Sequence, residues 1–190
     1  GPAVVAGFAL KKAIRDTEDF NRAMARSTAI MGDLSKVMRD DMAQAARDVA
    51  KATIFTSKEA AESYFFLASA GMSAEQSLAA LPKVAEFAQA GMFAMALATD
   101  LLTDAQSALG LSTKDVEQNL RNLTKLGDRL VGANTLANAS VEQFSEALTT
   151  KAGTAIRQLK IDLEEGIGLL AVFADQGIKG ADAGTAFNIV

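Results

Sequence analysis

Few residues in this chain could do chemistry, and the densest group lies near its C-terminal end. Gly177, Gly180, Gly184 and Thr185 stand in Gly-x-x-Gly-x-x-x-Gly-Thr order, and closely spaced glycines let backbone amides converge on an anion such as a phosphate. A phosphate loop, however, follows a strand, separates its glycines by four residues and ends in Lys-Ser/Thr. Here Lys179 precedes Gly180, and the residues before the loop have helical periodicity. The spacing fits a structural turn better: a helix-ending glycine, then small residues that let the next helix approach closely. The carboxylate pairs Glu164-Glu165 and Asp40-Asp41 are poor acid–base machinery, because neighbours on a helix point ~100° apart and cannot flank one bond. Acids at positions 164 and 165 instead complement the dipole of a helix that starts there.

The chain contains neither His nor Cys. Their absence removes the usual zinc ligands, the Ser-His and Cys-His nucleophile pairs and any disulfide framework. No catalytic, cofactor-binding or metal-ligating residue is assigned, and a non-enzymatic protein without cofactors is expected. The net charge of −4 hides an asymmetry, since residues 3–55 carry nine Lys/Arg against seven Asp/Glu. These charges are interleaved around helical faces, which suits solvated surfaces with intrahelical pairs rather than specific nucleic-acid binding.

Apolar residues make up 49% of the chain and only two prolines interrupt them. Much of that apolar content is Ala, which buries little area per residue, so closely spaced helices with thin cores are expected. Residues 3–54 read as one long amphipathic or coiled-coil helix. Its stripe runs Met31, Leu34, Met38, Met42, Ala45 and Val49 in steps of three and four; upstream, Phe20 and Met24 continue it and Phe8 starts it. At 1.5 Å per residue such an arm would be roughly 75 Å long. A small domain cannot cover that length, so Met24, Met31, Leu34, Met38, Met42 and Val49 are candidates for an assembly seam.

Beyond residue 55 the punctuation becomes dense. Thr56 with Glu59, Ser73 with Gln76 and Ser140 with Gln143 read as capping boxes. Gly71, Gly110 and Gly177 read as helix stops. Pro82 is expected to begin a helical piece ending near Gly91, and Ser112 to cap a helix from Thr113 to about Ala137. Further helices are expected from Met92 to Leu109, from Ser140 to about Thr150, and from Ile161 to Gln176. No alternating strand pattern occurs. The fold class is all-α: a long N-terminal helix over 3–54, then a compact bundle of five to seven short helices over 55–190. The uncharged stretch Phe87 to Thr99 is too short to span a bilayer, which needs ~20 apolar residues. Gly1-Pro2 has the form of a scar left by removal of an affinity tag. The missing start Met and the stop at Val190 point to an excised fragment.

Several phrases carry a resemblance in a fixed order. Phe55–Glu62 is followed by Leu67-Ala68-Ser69-Ala70-Gly71-Met72-Ser73, then by Leu81-Pro82-Lys83-Val84 and Ala88-Gln89-Ala90-Gly91. Next come Asp100-Leu101-Leu102-Thr103-Asp104-Ala105 with Ala108-Leu109-Gly110, Ala133-Asn134 through Ser140, and Phe144–Leu148. The GIKGADAGT stretch from Gly177 to Thr185 closes the series. Together they resemble the core region of bacteriophage tail tape-measure proteins, the phage-related minor tail protein family. One departure is the apolar run from Met92 to Leu97.

The resemblance implies a structural phage or prophage tail protein that sets tail length, scaffolds tube assembly and is released on DNA ejection. It implies self-association as a trimer or hexamer, with tail-tube, tail-tip and tail-assembly chaperone proteins as partners. The implied location is the virion tail, and the host cytoplasm during assembly. Gly177, Lys179, Gly180, Gly184 and Thr185 then form a structural family turn. The alternative reading is a membrane-active helical bundle that makes transient host-membrane contact as the genome passes the envelope.

Overall fold

The computed structural model describes residues 2–189, with side chains from residue 7 onward; Gly1 of the expected tag scar and Val190 lie outside the described residues. Every regular element among them is helical: α1 Pro2–Thr28, a 3₁₀ turn Ala29–Met31, α2 Lys36–Ala52, α3 Ser57–Ser69, α4 Ala74–Gly91, α5 Met95–Ala108, α6 Val116–Leu136, α7 Val141–Ala147, a π turn Leu148–Ala152, α8 Gly153–Leu159, α9 Leu163–Asp175 and α10 Gly180–Phe187. The segments α7, π turn and α8 run on without a break, so seven continuous rods follow residue 55.

The single helix expected over residues 3–54 is two helices. Gly32 adopts φ +78°, ψ −154°, a region open essentially to glycine alone. Ser35 then restarts the helix by accepting from the Met38 amide at 3.1 Å. The break folds the chain back, and α3 becomes the centre of the first half, packed against α1, α2, α4 and α5. Tyr64 is fully buried there and donates its hydroxyl to the Met42 carbonyl at 3.0 Å, tying α3 to α2. Burial pushes the Tyr64 phenol well above the ordinary tyrosine range. Across α1 and α2, the Arg47 guanidinium lies 4.6 Å from the centre of the Phe20 ring. Only the first half of α1 projects: residues 7–18 are exposed throughout. With the residues before them they form an arm of roughly 25 Å.

Capping proceeds as the hydroxyl and acid spacings require. Thr56, Ser73 and Ser140 each accept from the amide three residues on, while Glu59, Gln76 and Gln143 reach back to the cap amide. Pro82, expected to open a helix, lies inside α4. It sits on the solvent side, so the carbonyl left without its amide partner faces water and the helix continues. The helix expected from Thr113 starts at Val116 with Asp115 as its cap, at 2.6 Å from the Gln118 amide. Thr113 is held out of it, its amide donating to Asn119 Oδ1 at 3.1 Å and its carbonyl accepting from Gln76 at 2.6 Å. The helix opened by Ser140 does not stop near Thr150 but widens into the π turn and runs to Leu159.

Replacing Gly32 with Ala forces a side chain into a glycine-only conformation and is expected to cost about 1–3 kcal/mol. Thermal unfolding followed by circular dichroism checks this, with native helix content at low temperature unchanged.

Candidate assembly surface

The turn from Gly177 to Thr185 is built for contact between helix backbones. Gly177 closes α9 at φ +84°, its amide donating to Ala174 O and the Ile178 amide to Phe173 O. Lys179 is extended and leads into α10. A Cβ on Gly184 would collide with the backbone carbonyl of Ala147, and one on Gly180 with the carboxylate of Glu146. Helix α10 therefore rests directly on α7 and the π turn, and Ala183 and Phe187 are buried beneath it. Phe187 meets Phe173 edge to face at 6.3 Å. A carboxylate and a carbonyl oxygen thus face the glycines where a phosphate would have to sit, which is the wrong polarity for an anion. Thr185 is exposed and Lys179 half-buried.

One member of each carboxylate pair is engaged in an ion pair. Glu164 bridges from α9 to Lys125 at 3.1 Å and Arg129 at 3.0 Å on α6. Its own helix-start amide, then Lys125 and Arg129, hold its carboxyl below the ordinary glutamate range. Asp40 pairs with Lys36 one turn back on α2. Among the described residues no group of three His, Cys, Asp or Glu is placed to hold a metal ion.

The methionine stripe turns inward. Met42 is fully buried, Met24 and Val49 nearly so, and Met31, Leu34 and Met38 pack half-buried against the same core. The seam residues are covered by the fold-back at Gly32, which places α1 and α2 on α3 and α2 on α4. Among the described side chains of α1, the large apolar ones left outside are Phe8, Leu10 and Ile14. Of the expected sites, then, the structure brings Gly180, Gly184 and the start of the π turn together and folds the stripe into the core. The backbone contact beneath Gly184 had no signature beyond the small residue itself.

The family model of phage-related minor tail proteins matches residues 43–190, beginning inside α2. A tape measure protein of Pneumococcus phage Dp-1 is 29% identical over 182 residues, covering 96% of this chain. The chain spans about 15% of the length of that relative. No solved structure matches the chain.

Two glycines on neighbouring helices make a paired test. Gly184→Ala drives a methyl group into a backbone carbonyl and is expected to cost about 1–3 kcal/mol. Gly168→Ala lies in open space inside α9, and should gain about 0.5–1 kcal/mol through helix propensity. Urea unfolding of both variants reads the contrast. The Glu164 bridge has a pH signature. Because its folded pKa is lowered, its contribution is present above the unfolded value and lost as pH falls through the folded one. The melting-temperature advantage over Glu164→Gln should therefore be full at neutral pH and fade below about pH 4.3.

Proposed function

The chain belongs to the phage-related minor tail protein family, and on that footing we propose that it is a segment of a tail tape measure. Such a protein sets tail length, scaffolds the tail tube as it polymerises from the tip, and leaves the virion when DNA is ejected. The observation that carries the reading is the family match over residues 43–190, with the Dp-1 tape measure protein as a named relative. Copies associate as a trimer or hexamer in the tail, against tail-tube and tail-tip proteins, after handling by an assembly chaperone in the host cytoplasm. No enzymatic step is assigned to this segment. For the membrane-active alternative, no described helix is long and apolar enough to cross a membrane, and no observation favours it.

The two possible states of this segment differ greatly in length. Opened into one continuous helix, residues 2–189 would span roughly 280 Å. Kept as a bundle, a domain of this size measures about 40 Å across. An in-frame deletion of the bundle in the full-length protein is expected to shorten the tails, measured by electron microscopy of purified particles. A decrement near 40 Å means the segment rides in the tail folded, and one near 280 Å means it is drawn out. Tails of unchanged length, or virions lacking this chain by mass spectrometry, would sink the proposal.

A further inference from the structure

The connections between helices are not equally secured. At Gly71, Gly110 and Gly177 the turn after a helix is closed by paired backbone bonds, as from Gly71 N to Ala68 O and from Met72 N to Leu67 O. The α4–α5 and α8–α9 connections close in the same way, through Phe93 N to Ala88 O and Ile161 N to Ile156 O. Side chains tie the α2–α3 and α6–α7 connections, where Gln89 accepts from the Ile54 amide and Asp175 from the Asn138 amide. The α1–α2 connection has no such tie. Among the described residues no backbone hydrogen bond closes the turn around Gly32, and none is made by Asp33 or Leu34. Only the conformation of Gly32 and the Ser35 cap, which belongs to α2, mark the break.

Helix α1 can also leave with little disturbance elsewhere. Among the described residues, α3 is the one helix on which it rests broadly, and it sends only Phe20, Ala23, Met24, Ser27 and Thr28 into the interior. A cleft of about 360 Å³ runs beside that seat, between Ala23 and Ser27 of α1, Phe65 and Phe66 of α3, and Ala96 of α5. The break is weakly specified as well. Met31, Leu34, Met38 and Met42 keep helical register across Gly32, and a single glycine is a mild interruption of a helix. Straightened, α1 and α2 form one rod of roughly 75 Å.

We propose that two copies of this chain straighten at Gly32 and exchange α1, each α1 taking its seat on the other copy's α3. The hairpin geometry allows it. Phe20 on α1 meets Arg47 on α2 across the break, so the two helices run antiparallel. Two straight rods crossed antiparallel about a two-fold axis at Gly32 place each α1 beside the other copy's α2 in the same sense. The contacts that α1 makes with α3 in the monomer are then remade between copies, and that identity selects a second copy as the occupant. The change is confined to the hinge. Each chain gives up the Gly32 turn and the Ser35 cap and gains a turn of continuous helix. Met31, Leu34 and Met38, half-buried in the monomer, meet their own images at the crossing, where methionine adapts to an irregular partner. Association costs translational freedom, so the monomer prevails in dilute solution and the exchanged dimer at high concentration.

The exchange does not rest on the tail assignment. The 190-residue chain, refolded from denaturant at millimolar concentration, is expected to yield a dimer resolved from monomer by gel filtration with light scattering, since α1 must leave its seat for the two to interconvert. Gly32→Ala penalises the turn and favours the rod in both chains, and should tighten the dimer by about a hundredfold or more. Lys36→Pro does the reverse. Position 36 opens α2, where proline is well placed, and Ser35 before it is already extended at ψ 155°. The exposed Lys36–Asp40 pair that it removes contributes little. This variant should keep the monomer's melting temperature and abolish the dimer, because proline breaks the rod. Spin labels on Asp16→Cys and Asp48→Cys, both exposed positions in a cysteine-free chain, report the connectivity. They stand near each other across the hairpin; in labelled chains diluted with unlabelled ones they should part to roughly 48 Å in the dimer. A monomer at every concentration overturns the proposal, and so does a dimer that keeps the short distance or withstands Lys36→Pro. A trimer or hexamer that withstands Lys36→Pro overturns it too, while leaving the tail assignment standing.

Discussion

An alanine brings one methyl group to a core, so a chain that fills its interior with alanine coheres only if its helix backbones come close. Of the forty apolar residues buried among those described, seventeen are Ala. The rest of the architecture answers to that constraint. Glycine appears where even a methyl group is too much, as at Gly184 over the Ala147 carbonyl and at Gly153 against Ala108 and the Leu148 carbonyl. The large side chains that do enter, such as Tyr64, Phe144, Leu81, Leu102, Leu123, Leu126 and Leu130, are almost wholly buried. Each buries far more apolar area than an alanine does.

Where helix backbones run close, several of the polar groups inside are tied down locally. Thr99 and Thr103 on α5 are buried and return their hydroxyls to Met95 O and Thr99 O of their own helix, at 2.7 and 2.9 Å. Gln106 donates to Asn119, which in turn fixes the Thr113 amide, so side-chain hydrogen bonds help hold the α5–α6 connection. The π turn belongs to the same logic. It widens the α7–α8 rod where α10 lies on it, a common use of an inserted residue in a helix.

The helical stops and starts were legible because they are local chemistry. A Ser or Thr three residues ahead of Glu or Gln satisfies helix-start amides wherever it falls, and Thr56, Ser73 and Ser140 do so. A glycine after an apolar run ends a helix by taking positive φ, as Gly71 and Gly110 do. The fold-back at Gly32 was less legible. One glycine in an otherwise periodic stretch costs a helix only about 1 kcal/mol, so the stripe across it reads as continuous. Ser35 was the available sign, and only the energy gained by laying α1 and α2 on α3 decides that the chain turns there. The same limit applies at Pro82, whose effect depends on which side of α4 faces water.

By itself the sequence determined the helical class, most element ends, the absence of histidine and cysteine chemistry, and the family. The first three follow from residue type and short-range spacing, which no tertiary contact can alter; the family follows from likeness to the phage-related minor tail proteins over residues 43–190. Tertiary structure decided what each apolar stripe faces. Periodicity puts Met42 and Val49 on one helical face, but a stripe looks the same whether it meets another copy or its own chain. The break at Gly32 lets both α1 and α2 lie on α3 of the same chain at no translational cost, so the stripe is covered from within. What remains outside is then set by where the helices end: Ile54, Met92 and Leu136 stand at or just past the ends of α2, α4 and α6, where no neighbouring helix covers them.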